Sequence, residues 1–170
     1  MELDWDALAA EMLATGEFHP DGLNAITLKR DYEKGYGAIR TEGSRIIAYA
    51  SVEDRTFDPH YPTYEIRRVF VAKDKNGSKT AEELIAELIK RFTPPEEELP
   101  RRVPTFFLIS KNPAIWHIAM SLGFRAVTKF RMPNVREWAK RAGLGKRLPR
   151  SATARDPHHS NRRKRWLYMR

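Results

Sequence analysis

With 170 residues, 41% of them hydrophobic and 31% charged, the chain has enough apolar material for one domain with a sizeable core. It has no cysteine, which excludes disulfides, thiol nucleophiles and thiolate-held zinc or iron–sulfur centres, and fits a reducing compartment such as the cytoplasm. The net charge of +9 is lopsided, since residues 131–170 hold 13 Lys/Arg against 2 Asp/Glu while residues 1–130 hold 18 against 20. No apolar run is long enough to span a membrane, and the acidic start is unlike a secretory signal.

In chain order, Trp5, Leu8, Ala9, Met12 and Leu13 recur at helical spacing, with Asp4 as N-cap and Gly16 as the stop. Three strand-like runs follow: Ala25 to Arg30, Tyr36 to Thr41 and Arg45 to Val52, the last two joined by a turn at Glu42-Gly43. Asp54 to Pro62 reads as a loop. Tyr64 to Val71 is a β-branched strand that passes through a short polar loop, Ala72 to Lys79, into an amphipathic helix. That helix is expected to start near Thr80, with Thr80 and Glu83 as a capping box and an apolar face of Ala81, Leu84, Ile85, Leu88, Ile89 and Phe92. Pro94-Pro95 ends it.

Val103 to Ile109 is nearly all apolar, as a central buried strand should be. Asn112 caps a helix with Pro113 at its first position, Ile115, Ile118, Ala119 and Leu122 face inward, and Gly123 takes the left-handed position at its end. Arg125 to Met132 reads as a strand and Val135 to Ala142 as a short basic helix. Trp166 to Met169 reads as a closing strand.

The order of elements predicts an α/β (α+β) fold with a mixed sheet. It is not doubly wound, because three strands precede the strand–loop–helix turn. That turn is a natural phosphate cradle, because the first N–H groups of a helix lack intrahelical partners and its dipole favours anions. The N–H groups from Gly77 to Ala81 are the ones so placed.

At these residues the chain resembles the GNAT superfamily of N-acetyltransferases. The family's pyrophosphate loop, Arg/Gln-x-x-Gly-x-Gly/Ala, aligns with Asn76-Gly77-Ser78-Lys79-Thr80-Ala81. Ala81 matches the last small position and Gly77 the glycine that often follows the first residue, whereas Asn76 and Lys79 replace Arg/Gln and the middle glycine. Phe106 to Ile109, then Asn112, then Ser121-Leu122-Gly123-Phe124 match the family's strand, Asn, helix and Leu-Gly-Phe. The family often carries a tyrosine where this chain has Ala119, so the acid that protonates the departing thiolate is unassigned. The resemblance covers about residues 23–132. It implies a GNAT-like, mostly antiparallel sheet flanked by helices over residues 1–132, with a basic extension at 133–170 that ends in a last strand of the same sheet.

The activity so implied is direct transfer of an acetyl or other acyl group from acyl-CoA to an amine, small or macromolecular, without a metal. Acetyl-CoA would lie along the main chain of Val69, Phe70 and Val71, with its pyrophosphate on residues 76–81 and with Asn112 also contributing. Glu65, six residues before Val71, stands where some members hold a base; the alternative is a strand-end carboxylate paired with Arg67 or Arg68. On a regular strand it shares a face with Arg67, Val69 and Val71. His117 is the second candidate acid or base, against an ordinary surface histidine. His60 and Tyr61 are candidates for the acceptor side. His158-His159 is a poor metal cage in a basic segment, so no metal is expected.

Arg162-Arg163-Lys164-Arg165, followed by Trp166 and Tyr168, mixes charge with aromatics in a way that suits nucleic acid. The same alternation suits a closing strand with a soluble edge. The two readings coexist if a basic rim draws a polyanionic acceptor. DNA-modifying acyltransferases of the phage Mom type have the same broad plan, a GNAT-like core with a basic C-terminus.

Overall fold

The computed structural model describes residues 2–56, 62–75, 78–98, 104–110, 112–126 and 165–169. Two compact units divide the chain: residues 1–53 with 66–91, and residues 54–65 with 92–170. Among the described residues, six strands and four α-helices form a mixed α/β fold with a mostly antiparallel sheet, as expected.

In the first unit, helix α1 (Trp5–Ala14) opens with the Asp4 carboxylate accepting from the Ala7 N–H at 2.9 Å. Trp5, Leu8, Ala9 and Met12 are buried as expected, but Leu13 is 40% exposed. Residues 25–30, expected as a strand, instead begin helix α2 (Ala25–Glu33). Asn24 fixes this outcome, since its side chain accepts from the Thr27 N–H at 2.9 Å. The β-branched pair Ile26-Thr27 imitates a strand, yet Ile26 is 80% exposed and Leu28 is the buried residue of the helix.

Strands β1 (Gly37–Glu42) and β2 (Arg45–Asp54) pair antiparallel, with Glu42 opposite Arg45. The turn is therefore Gly43-Ser44, one residue later than expected, and Gly43 supplies a φ of 60°. Strand β3 (Thr63–Val71) lies next to β2. A 3-10 turn (Lys73–Lys75) leads from it to helix α3 (Ser78–Phe92). Because α3 starts at Ser78, Thr80 lies inside its first turn, and the expected Thr80–Glu83 capping box does not form. Ala81, Leu84, Ile85 and Leu88 form the buried face. Arg40 on β1 bonds Glu87 at 2.9 Å, and Arg91 donates to the carbonyls of Gly35 and Gly37, which ties α3 to β1. Trp5, Leu8, Met12, Leu28, Ile46, Tyr49, Phe70 and Ala72 form one core.

In the second unit, β4 (Thr105–Ser110) pairs antiparallel with β6 (Arg165–Met169), and β6 pairs antiparallel with β5 (Arg125–Ala126). The closing strand is thus real and starts with Arg165 opposite Ser110. Helix α4 (Pro113–Ser121) is capped by Asn112, whose side chain accepts from the Ala114 N–H at 2.9 Å. It ends in a Schellman motif, in which Phe124 N–H reaches the Ala119 carbonyl, Gly123 N–H reaches that of Met120, and Gly123 has a φ of 91°. Phe106, Phe107, Leu108, Trp116, Ile118 and Phe124 are buried. The expected helix at 135–142 and the remainder of the 125–132 strand lie outside the described residues.

Candidate functional site

The first unit holds the strand–turn–helix on which the phosphate-cradle reading rests. Phe70 is buried and Val69 and Val71 are half-buried, so β3 is anchored by one side chain of this trio. Ala72 then donates its N–H to the Ile47 carbonyl on β2 at 2.8 Å and fixes where the strand ends. The 3-10 turn that follows is pinned by charge. Arg45 bonds both Asp74, at 2.9 Å, and Glu11, while Lys75 meets Glu42 at 2.8 Å. The hydrogen bond from Arg45 lowers the Asp74 pKa, and the one to Glu42 raises that of Lys75. Both pairs lie in solvent, so they fix geometry more than they add stability.

The helix opens four residues after the pinned Asp74. Lys79 is exposed, Thr80 half-buried and Ala81 buried. Among the described residues, Lys79 has no ion-pair partner. The arrangement brings the start of a helix, with its dipole, and one exposed cation to one place. Asn76 and Gly77 lie outside the described residues, as does the Ser78 side chain.

One feature of β3 was not legible from its composition. Arg68 has a φ of 55°, the left-handed region, inside the strand. Burial along β3 does not alternate regularly: Thr63 and Glu65 are buried on one parity and Ile66 and Phe70 on the other, so the change falls between Glu65 and Ile66. The expected shared face of Glu65, Arg67, Val69 and Val71 therefore does not persist along the strand. The Arg68 guanidinium donates to Asp31 at 2.8 Å and to the Gly22 carbonyl at 2.9 Å, with its side chain 9% exposed. Arg67 instead pairs with Glu53 on β2.

Close to this group, the Tyr49 hydroxyl is buried without a hydrogen-bond partner; Ser51 and Arg68 are its polar neighbours but do not reach bonding geometry. Burial pushes its pKa up to about 12. Its ring meets Trp5 edge-on at 6.5 Å.

The remaining candidates belong to the second unit. Glu65 is 6% exposed and accepts from Arg55 Nε and Nη2 at 3.1 and 3.0 Å. Its described partner is Arg55, where the sequence offered Arg67 or Arg68. Asn112 spends its side-chain carbonyl on the start of α4. His117 lies exposed on α4, next to Trp116, which is buried and donates to the Ser110 carbonyl at 2.8 Å. Ala119 is fully buried. His60, Tyr61, His158, His159, Arg162, Arg163 and Lys164 lie outside the described residues. Of Arg165, the strand position alone is described. Among the described residues there is no cluster of metal-ligating side chains, and no helix is long and apolar enough to cross a membrane.

No protein-family model and no curated protein matches the sequence. Solved structures do match by fold. A GNAT-family acetyltransferase from Staphylococcus aureus Mu50 aligns over 99% of this chain and 95% of its own, at 15% identity and a TM-score of 0.56. Ribosomal-protein-alanine N-acetyltransferase from Brucella melitensis aligns over 73% of this chain and 80% of its own, at 23% identity and a TM-score of 0.51. N-acetylglutamate synthase from Neisseria gonorrhoeae, solved with coenzyme A and N-acetyl-glutamate, aligns over 96% of this chain at 15% identity and a TM-score of 0.55; this chain spans 31% of that protein's length. The chain therefore has the fold of the GNAT acetyltransferases.

Proposed function

We propose that the chain is an acyltransferase that moves an acetyl or other acyl group from acyl-CoA to an amine. The observation that carries this reading is the order of β3, the 3-10 turn Lys73–Lys75 and α3, with exposed Lys79 in the first turn of the helix, in a GNAT fold. In this reading the main chain of Val69, Phe70 and Val71 bonds the pantetheine arm, and the amides of residues 76–81 hold the pyrophosphate. Lys79 adds a charge where the family's loop has a glycine. Asn112 is a cofactor contact in the same reading, beside the bonds by which its side-chain carbonyl caps α4 and its N–H meets Ser110 Oγ.

The chemistry needs a neutral amine, which attacks the thioester carbonyl carbon while the C–S bond breaks and the CoA thiolate leaves. The amine loses one proton and the thiolate gains one. Glu65 is the proposed base, held in place by Arg55, with His117 as the second candidate for proton transfer. The test is thiol release. Since the chain has no cysteine, an aromatic disulfide reagent reads only the CoA set free. Amine-dependent thiol release from acetyl-CoA is expected; none with any of a broad panel of small amines, peptides and nucleic acids would remove the activity.

A polyanionic acceptor is a second reading, favoured by the net charge of +11 in residues 131–170. Nucleic acid is the acceptor or partner that it names, and DNA modification the activity.

A further inference from the structure

We infer that Arg68 is a positioning residue that holds β3 in the conformation its main chain needs to receive the pantetheine arm; this rests on the acyl-CoA reading above. A non-glycine residue in the left-handed region is strained and persists only where its surroundings impose it. The surroundings here are specific. Both terminal nitrogens of Arg68 are engaged, one by the carboxylate of Asp31 on α2 and one by the carbonyl of Gly22 in the turn before α2. Those partners lie 37 and 46 residues away in sequence, so the contact is tertiary and not a by-product of local strand geometry. Gly22 itself has a φ of 73°, so its carbonyl is aimed by a second left-handed residue.

The clamp acts on the residue directly before Val69. A left-handed residue in a strand rotates the adjoining peptide planes out of the regular ladder. This left-handed residue stands at the head of the trio that the cofactor reading uses. The strand beyond is fixed by buried Phe70 and by the Ala72 bond to Ile47. Val69 to Val71 are thus held at both ends, by Arg68 before and Ala72 after. A bidentate guanidinium suits this task better than an ammonium, because its planar fork fixes direction as well as distance.

Glycine separates clamp from strain, since it takes positive φ without steric cost. Arg68→Gly keeps the backbone accessible and removes the guanidinium; Arg68→Lys keeps a cation without the fork; Asp31→Asn removes the partner charge. Acetyl-CoA affinity is measured by calorimetry for each full-length variant, with thermal unfolding and amide exchange at Val69 to Val71 in parallel. The expected result is an acetyl-CoA affinity about tenfold or more weaker in Arg68→Gly and Asp31→Asn. Exchange at residues 69–71 is faster, unfolding stays cooperative, and Arg68→Lys falls between. Affinity unchanged in a folded Arg68→Gly overturns the inference and leaves the acyl-CoA reading standing. No binding by the unmodified chain overturns both. If Arg68→Gly does not fold, Asp31→Asn decides alone, by the same criterion.

Discussion

Two buried polar side chains define what single substitutions should do. Glu65 and Arg55 form a pair with little exposure on the carboxylate side, so removing one charge strands the other. Glu65→Gln is expected to lower stability by about 1–3 kcal/mol, read by thermal or urea unfolding. If the carboxylate is also the base, acyl transfer falls by about 10²-fold or more in protein that is still folded. A rate that merely tracks the folded fraction would assign Glu65 to structure alone. Tyr49 has the opposite sign. Its hydroxyl is buried without a partner, so Tyr49→Phe is expected to raise stability by about 1 kcal/mol at neutral pH. The tyrosine pKa, raised from 10.0 to about 12 in the folded state, means the folded form holds its proton longer than the unfolded one. Stability from this group is complete below pH 10 and is lost as pH rises towards 12. Tyr49→Phe should therefore flatten the alkaline limb of the stability curve, and an unchanged limb would show that other groups set it.

At the scale of elements, the start of α3 is where stability and binding should part. Lys79→Glu places a negative charge in the first turn of a helix, which stabilises it by about 0.3–1 kcal/mol. The same charge repels a pyrophosphate, so acetyl-CoA binding should weaken while the melting temperature holds or rises. Loss of both together would mean that Lys79 supports the fold. At the end of α4, Gly123→Ala meets a φ of 91° and is expected to cost about 1 kcal/mol or more. Capping residues made α1 and α4 legible, because Asp4, Asn112, Pro113 and Gly123 act through contacts only a few residues long. The same logic applied to Asn24 would have identified α2, but the β-branched Ile26-Thr27 outweighed it. Arg68 was out of reach for a different reason. Its backbone conformation depends on Asp31 and Gly22, and no local pattern announces a contact of that range.

Over the whole molecule, charge is the property that the elements do not absorb. The net of −2 over residues 1–130 against +11 over residues 131–170 is the asymmetry on which the proposed polyanion reading rests. Deleting that quarter is a poor test, because β6 pairs with β4 and its loss opens the second unit's sheet. Changing Arg162, Arg163 and Lys164 together to glutamine leaves the strand in place. If nucleic acid is the partner, its affinity should fall steeply with salt, and the triple variant should reduce that slope by about 2–3 charges. Weak, salt-insensitive binding that the triple variant does not alter would set the second reading aside. The resemblance carried by residues 103–124 and the order of strands after residue 36 make the GNAT fold legible in the sequence. The acceptor was not, since amine recognition depends on side chains drawn together from distant segments. The most direct measurement is titration calorimetry of the full-length chain with acetyl-CoA. The account predicts saturable binding with a Kd within about 1 μM–1 mM, weakened by Lys79→Glu; no heat at millimolar acetyl-CoA, from protein that unfolds cooperatively, would contradict it.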